Sequence, residues 1–286
     1  MDTLFDQFLQ EKRYLQGVSR KTIEWYEHSF KAYKRALNGN GEALPTKPTV
    51  TEFVIELRKS GISAGSMNNY IRGMNVFLGW LFENEHIPQQ LKIKRVKEEQ
   101  PVIETFTDRQ LQAIVDYKPK DYFELRLHTL LLTAIDTGCR IDELLTLTRQ
   151  NVDFDSLILK VTGKGKKERI VPFSIELRKS LFKLLKRHKF EFVFCTQRGH
   201  MLGYRNMLRG FKLLAERLGI NGVRVSFHTL KHTFAVNYVR HGGNVLYLQR
   251  ALGHTDLSMT KRYVNLQTED LKKMHLQTSQ LSRLKN

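Results

Sequence analysis

Residues 125–144 read LRLHTLLLTAIDTGCRIDEL, an apolar run that passes directly into a glycine and a short polar segment. The run from Leu125 to Ile135 is much shorter than the ~20 apolar residues that a membrane-spanning helix needs. It also contains Arg126 and His128. The stretch therefore predicts a helix buried in the core of a domain, and it argues against a membrane span.

Three amphipathic helices are predicted before residue 88. Ser19 can cap the first, in which apolar side chains recur every three or four residues, and Thr49 can cap the second. The third is expected to end at Pro88, because proline disfavours a helical conformation in the residue before it. Residues 1–88 are therefore expected to form an all-helical domain.

A second domain is expected after a charged linker. Apolar periodicity fades over residues 89–104, where charged side chains dominate and no buried face is evident. Thr107 and Gln110 then have the spacing of a capping box, which begins a domain over residues 105–267. The tail, residues 268–286, places apolar residues on one helical face and is expected to dock on its own chain or on a neighbouring protomer.

One segment of the second domain departs from helical spacing. Residues 157–161 and 169–172 predict two strands, and residues 162–166 between them, which contain two glycines, predict a turn. The hairpin is basic. The chain is therefore expected to be mainly α, with a small β-hairpin or sheet in its second domain.

The composition predicts a polyanionic partner. Lys and Arg number 47 against 29 Asp and Glu, which gives a net charge of +18 in 286 residues and a sequence pI of about 9.9. The basic residues are spread along the chain, so they indicate a folded basic surface, and nucleic acid is the leading partner. The start of the chain lacks the form of a signal peptide, and Cys139 and Cys195 are its only cysteines. A cytoplasmic location is expected.

Five features of the second domain occur in a fixed order. They are Thr137-Gly138-Cys139-Arg140-Ile141-Asp142-Glu143-Leu144, the basic hairpin, His228-Thr229-Leu230-Lys231-His232-Thr233-Phe234, Leu252-Gly253-His254, and Tyr263. In this order they resemble the tyrosine recombinase (phage integrase) family. That family joins a small helical DNA-binding domain by a linker to a larger catalytic domain, so the resemblance implies that residues 1–88 bind DNA and that residues 105–267 form the catalytic domain. The chain is similar to its simple two-domain type, which has no additional arm-binding module.

The resemblance implies a phosphoryl-transfer site built from side chains. Tyr263 would attack a DNA phosphate and store the bond energy as a 3′-phosphotyrosine. Arg140 and Lys231 would stabilise the charge that develops on the phosphate oxygens, and Glu143 would orient Arg140. No metal and no cofactor is implied.

Three more site residues are implied by the resemblance. Lys164 in the hairpin turn would protonate the departing 5′ oxygen. Lys166 and Lys167 are expected, from the exposed position of a basic hairpin tip and not from the resemblance, to contact only backbone phosphates of the DNA. His228 would assist proton transfer from the tyrosine, and His254 would donate a hydrogen bond to the phosphate.

Lys231 departs from the family pattern, which usually has arginine there. Lysine keeps the positive charge but lacks the forked guanidinium, so weaker transition-state stabilisation is expected. A natural variant, a slowed enzyme and an engineered substitution remain open. His228 and His232 have the spacing of two metal ligands on a helix, but Thr229 stands where a zinc protease needs glutamate. A metal site is therefore not expected.

The expected function is site-specific recombination of double-stranded DNA with inverted-repeat sites, held between the two domains by a homo-tetramer on two DNA sites. Integration or excision of a mobile element and resolution of dimers remain alternatives. A type IB topoisomerase uses a similar residue set, but the tail argues against it. A DNA-binding module in which Lys231 has weakened catalysis is the other alternative.

Overall fold

The computed structural model describes residues 1–37, 43–98, 103–163 and 167–253, together with residues 256, 260 and 263. The chain divides into two compact units, Met1–Pro101 and Val102–Asn286. Among the described residues, no helix is long and apolar enough to cross a membrane.

The first unit is helical, as the sequence predicts. Its helices are α1 (Asp2–Gln10), which continues into a π-helical turn (Glu11–Leu15), α2 (Arg20–Ala36), α3 (Lys47–Lys59) and α4 (Ala64–Glu83). Their apolar faces meet in an aromatic core. Phe5 stacks on Phe30 with 3.9 Å between ring centroids, and the ring of Phe77 lies edge-on to both.

The predicted cap of α2 is confirmed, because the Ser19 hydroxyl accepts a hydrogen bond in the first turn. The prediction that Thr49 caps α3 is wrong. Thr46 is the N-cap, and the Thr49 hydroxyl accepts a hydrogen bond from the Thr46 backbone N–H at 2.9 Å, within a capping box. Pro48 is tolerated in the first turn of α3. Proline has no backbone N–H, but the N–H groups of a first turn have no partner within the helix, so no hydrogen bond is lost.

The third predicted helix, α4, ends earlier than expected. Its last residue is Glu83 rather than the residue before Pro88. Glu85 adopts a left-handed conformation with φ 59°, which stops the helix before the proline is reached.

The predicted linker is not free of buried residues. Leu91 and Ile93 lie in the core of the first unit. Asn75 of α4 bonds both the N–H and the carbonyl of Ile93, at 2.8 and 2.9 Å, and Asn68 does the same for Val96. Leu91 and Ile93 alternate as in an extended segment, so a search for helical spacing misses their buried face.

The second unit is mostly helical around one small sheet. In chain order its elements are α5 (Asp108–Asp116), α6 (Tyr122–Thr137), α7 (Ile141–Leu145), β1 (Val152–Asp153), β2 (Ile158–Thr162), β3 (Glu168–Pro172), α8 (Ile175–Leu185), α9 (Tyr204–Arg217), α10 (Phe227–Arg240) and α11 (Val245–Leu252). The strands are antiparallel in the order β1-β2-β3, with Leu159 opposite Val171. The sequence predicts β2 and β3 but misses β1, because two residues are too few to show alternation.

The predicted core helix is confirmed as α6, and Leu130 and Leu131 on it are completely buried. Its two polar exceptions have partners. Arg126 donates to the carbonyl of Cys195 at 2.6 Å, and a ring nitrogen of His128 lies 2.8 Å from the carbonyl of Ile114. The predicted capping box of α5, between Thr107 and Gln110, is also present.

Candidate active site

A glycine turn places Arg140 at the edge of the core. Gly138 ends α6 in a left-handed conformation with φ 62°, and a Cβ atom at this position would overlap the ring of Phe234. Only glycine adopts the left-handed conformation without strain and also leaves room for the Phe234 ring. The chain then enters α7, for which Arg140 is the N-cap residue with a partly exposed side chain.

Glu143 of α7 holds two arginines. It is 3% exposed, and its carboxylate accepts from the Arg140 backbone N–H at 2.7 Å and from Arg140 Nη1 at 3.2 Å. It also binds both terminal nitrogens of Arg169, at 2.6 and 2.8 Å. Burial raises the pKa of Glu143, but the hydrogen bonds and charges of Arg169 and Arg140 outweigh it, so the pKa is lowered overall. The carboxylate is thus the shared counter-ion of two cations.

Arg169 is a site residue that sequence reasoning missed. Its side chain is 13% exposed, its Nε donates to the Ala251 carbonyl at 2.8 Å, and its guanidinium packs on Gly253. The sequence of β3 does hint at this role. Arg169 and buried Val171 are two residues apart and so lie on the same face of the strand, whereas Ile170 lies on the other face and is 60% exposed. A charged residue on the buried face of a strand indicates a buried ion pair.

Lys231 of α10 reaches the same end of α11. It is 4% exposed, and its Nζ donates to the Leu252 carbonyl at 3.1 Å. Arg140 Nη1 donates to that same oxygen at 3.0 Å, and Arg140 Nη2 lies 3.4 Å from the Gly253 carbonyl. Three cations from separate elements therefore meet at the last carbonyls of α11, where a helix carries partial negative charge.

Burial lowers the pKa of Lys231 to about 7. The positive charges of Arg140 and Arg169 act in the same direction, and the Glu143 carboxylate acts against them. The charge of this ammonium group therefore changes near neutral pH, whereas a guanidinium stays charged.

Tyr263 packs against α10 and α11. It is 7% exposed, and it belongs to an apolar cluster with Ala235, Val239, Leu248 and Leu252. Its hydroxyl lies 2.7 Å from Nδ1 of His232. Sequence reasoning weighed His232 only as a metal ligand, since nothing in a linear pattern shows which residue faces Tyr263.

His228 lies one helical turn before His232 and is exposed. The two ring centroids are 4.4 Å apart and the ring planes stand at 78°. The structure therefore places both histidines of α10 at the tyrosine side of the site. Across the described ranges, no group of three or more His, Cys, Asp or Glu side chains could hold a metal ion.

Three predicted site residues, Lys164, Lys166 and His254, lie outside the described residues, as does the tail of residues 268–286. The base of the hairpin turn is described. Gly163 donates its backbone N–H to the Lys167 carbonyl at 2.8 Å, and a Cβ on Gly163 would lie 3.3 Å from the Glu143 carboxylate. Lys167 is exposed. The hairpin therefore leaves β2 beside the Glu143 cluster.

Comparison with solved structures supports the fold. The Tn1549 transposon integrase in complex with transposon right-end DNA has a TM-score of 0.79 at 16% identity, over 96% of this chain and 99% of the integrase chain. The XerH site-specific recombinase, in a post-cleavage complex with a palindromic difH substrate, has a TM-score of 0.74 at 17% identity, over 95% of this chain and 83% of that chain.

Sequence comparison identifies the family. Tyrosine recombinase XerD of Haemophilus influenzae is 28% identical over 293 residues, covering 95% of this chain and 96% of the relative. XerD of Pseudomonas aeruginosa is 26% identical, covering 95% of each chain. The profile of the Phage integrase family matches residues 104–270, more than half of the chain, and this range contains Arg140, Lys231 and Tyr263. The chain therefore belongs to the phage integrase family of tyrosine recombinases.

Proposed function

We propose that this chain is a site-specific DNA recombinase that cuts and rejoins DNA through a 3′-phosphotyrosyl intermediate formed on Tyr263. One observation carries the assignment of the site. The carbonyl of Leu252 binds both Arg140 and Lys231, while the side chain of Leu252 packs in the same cluster as Tyr263. A single residue of α11 thus links the two phosphate-binding cations to the nucleophile.

The arrangement suits attack on a phosphodiester. The Tyr263 oxygen forms a bond to phosphorus as the bond from phosphorus to the 5′ oxygen breaks, and negative charge builds on the non-bridging oxygens. Arg140 can bind two of these oxygens with its fork, and Lys231 adds a second cation. Both donors are held in place before the substrate arrives, Arg140 by Glu143 and Lys231 by the Leu252 carbonyl. Lys164 acts as the acid for the leaving oxygen, and His254 binds the phosphate.

Double-stranded DNA with inverted-repeat sites is the proposed substrate. The net charge of +18 supports a polyanionic partner, and the tyrosine recombinases similar to this chain include proteins solved with DNA. Strand exchange requires a 5′ hydroxyl from a second duplex to attack each phosphotyrosyl link. A homo-tetramer on two sites is therefore proposed, and rejoining needs no outside energy source. Integration, excision and resolution share this chemistry.

A nicked duplex tests the chemistry directly. The short strand beyond the nick diffuses away after cleavage, so the covalent intermediate accumulates and survives denaturation. We expect an adduct in excess chelator, because the cations at the phosphate are side chains. Absence of an adduct on a site that the protein binds specifically, or strict dependence on magnesium, would contradict the proposal. Relaxation of plasmids lacking the site would favour the topoisomerase alternative.

Lys231→Arg is expected to speed cleavage, with an advantage that grows with pH. The pKa of Lys231 is about 7, so its charge is present below pH 7 and is lost as the pH rises through 7, whereas arginine stays charged. A gain of roughly tenfold needs only ~1.4 kcal/mol of additional transition-state stabilisation. Single-turnover cleavage is measured on both sides of pH 7 at one salt concentration, because phosphate binding depends on salt.

Lys167→Arg is the matched control for this change, since it makes the same substitution at an exposed lysine just before β3. It should leave the pH profile unchanged. An unfolding temperature for each variant separates altered cleavage from altered folding. If Lys231→Arg gains nothing at any pH, either the site is built around lysine or Lys231 does not contact the phosphate, and its role at the second-arginine position is withdrawn.

Deletion after Gln267 is expected to leave binding to one site nearly intact while lowering synapsis and recombination. The removed segment carries Leu271, Met274, Leu281 and Leu284, which have helical spacing. An apolar face of this kind is stable in water only when it is covered, and a neighbouring protomer is the proposed cover. Band shifts measure binding and two-site complexes separately. Equal recombination by the truncated and full-length proteins would show that the tail is dispensable.

A further inference from the structure

Arg169 of β3 contacts three separate segments of the second unit. Its terminal nitrogens donate to the two carboxylate oxygens of Glu143 at 2.6 and 2.8 Å, and its Nε donates to the Ala251 carbonyl of α11 at 2.8 Å. Its Nη1 also lies 3.9 Å from the point that a Cβ atom on Gly163 would occupy. The side chain is largely buried. This arginine therefore joins α7, the end of α11 and the base of the hairpin turn.

The described contacts of Glu143 use its whole capacity as an acceptor. A carboxylate offers about four lone-pair sites. Arg140 fills two of them through its backbone N–H and its Nη1, and Arg169 fills the other two. Gly163 lies against the same carboxylate, since a Cβ atom there would be 3.3 Å from Oε1. Loss of Arg169 would therefore free two acceptor sites of a buried carboxylate, next to the residue that precedes Lys164.

The base of the hairpin turn determines where Lys164 begins. Gly163 donates its N–H to the Lys167 carbonyl at 2.8 Å, directly after the last residue pair of β2 and β3. Residues 164–166 connect the two ends of this hydrogen bond. Consecutive Cα atoms are 3.8 Å apart, so the position of Gly163 limits the position of the Lys164 backbone. Because misplacing a reacting group by about 1 Å can cost ~10²-fold in rate, the support of this base matters for catalysis.

We propose that Arg169 is a positioning residue for the general acid: with Glu143 it fixes the hairpin base from which Lys164 protonates the leaving 5′ oxygen. The inference rests on the proposed function, in which Lys164 is that acid. As the deprotonated Tyr263 oxygen bonds to phosphorus, the bond from phosphorus to the 5′ oxygen breaks. That oxygen keeps the electron pair and takes a proton from the Lys164 ammonium group, which becomes a neutral amine. Rejoining returns the proton to the amine, and Arg169 stays charged throughout.

The phosphate-binding cations have supports that do not involve Arg169. Arg140 donates to Glu143 and to the Leu252 carbonyl. Lys231 donates to the Leu252 carbonyl as well. A change at Arg169 alone should therefore act on the hairpin, and through it on the leaving group, while stabilisation of the phosphate charge is kept.

A substrate that needs no acid tests the proposal. Sulfur replaces the bridging 5′ oxygen at the scissile phosphate of a nicked duplex, and the thiolate departs without a proton because thiols are much more acidic than alcohols. Arg169→Lys keeps the charge but loses the fork that binds both oxygens of Glu143. We expect adduct formation to fall by ~10–100-fold on the oxygen substrate, as part of the contribution of an acid, and to stay within a few-fold of the parent on the sulfur substrate.

Two reference variants calibrate this comparison. Lys164→Ala removes the acid itself and should lose ~10²–10⁴-fold on the oxygen substrate, with cleavage restored by sulfur. Arg178→Lys makes the same substitution at an exposed arginine of α8 that also donates to a carbonyl, and it should cleave both substrates normally. Band shifts and unfolding temperatures measure DNA binding and folding of each variant.

Should Arg169→Lys fold poorly, Gly163→Ala takes its place. The added Cβ atom would lie 3.3 Å from the Glu143 carboxylate, a tight contact that displaces the hairpin base and keeps the ion pair with Arg169. We expect the same pattern, in which cleavage is slower than that of the parent on the oxygen substrate and unchanged on the sulfur substrate.

The outcomes distinguish this inference from the proposed function. Equal slowing of both substrates by Arg169→Lys, while sulfur restores Lys164→Ala, overturns the inference alone and reduces Arg169 to a structural residue. Normal cleavage of the oxygen substrate by a folded Arg169→Lys variant overturns it as well. If sulfur does not restore Lys164→Ala, the proposed acid role of Lys164 is wrong and the inference falls with it. No adduct from the parent protein on either substrate overturns the proposed function itself.

Discussion

Tyr263→Phe is expected to abolish the covalent adduct and to leave specific DNA binding intact. The change removes one oxygen, the atom that lies 2.7 Å from His232 Nδ1, and it keeps the ring that packs against Leu252. Loss of the buried hydrogen bond is expected to cost ~1–2 kcal/mol of folding free energy, so the variant should remain folded. The amount of adduct should fall to the detection limit, because the oxygen that the change removes is the reacting atom. Denaturing gels on a nicked site and band shifts measure the two properties.

Tyr247→Phe provides the control for this change. Tyr247 lies on α11 and is largely exposed, and it is the next tyrosine to consider if the assignment fails. The control should form the adduct at the parent rate. An adduct in Tyr263→Phe together with its loss in Tyr247→Phe would move the nucleophile to α11.

Glu143→Ala is expected to lower both stability and cleavage. Removing the carboxylate leaves the buried Arg169 guanidinium without the group that accepts two of its hydrogen bonds. It also removes the hydrogen bond that orients the Arg140 side chain. Breaking a buried ion pair in this way typically costs ~3–5 kcal/mol, and denaturant unfolding measures that loss. The pKa of Lys231 should fall further, because the Glu143 carboxylate raises it. The alkaline loss of cleavage in Glu143→Ala should therefore occur at lower pH than in the parent.

A double variant tests whether the loss of stability in Glu143→Ala comes from leaving Arg169 buried without a counter-ion. Glu143→Ala combined with Arg169→Met removes both charges of the buried pair, so no unpaired guanidinium remains on the inner face of β3. The double variant should be more stable than Glu143→Ala alone, while cleavage stays low because Arg140 is still unsupported. If the two losses of stability simply add, Glu143 and Arg169 do not act as a pair.

Local sequence patterns predicted much of the fold for a clear reason. The correctly predicted features depend on residues close together in the chain. They are the cap at Ser19, the buried helix α6 and the strands β2 and β3. The errors are also local. Thr49 and Thr46 both have cap chemistry within three residues, and alternating Leu91 and Ile93 lack helical spacing.

The sequence by itself determined the family, through motifs that occur in a fixed order. The same motifs predict Arg140, Glu143, Lys231 and Tyr263 as site residues without any knowledge of their contacts. Tertiary structure alone decided which groups meet. Arg169 reaches a carbonyl 82 residues away, Arg140 reaches one 112 residues away, and His232 meets a hydroxyl 31 residues away. Linear patterns record the chemical type and spacing of near neighbours. Contacts over such separations are set by the packing of α7, α10, α11 and β3, whose buried side chains form two apolar clusters that both include α10. The same packing lowers the pKa of Lys231 by burying it.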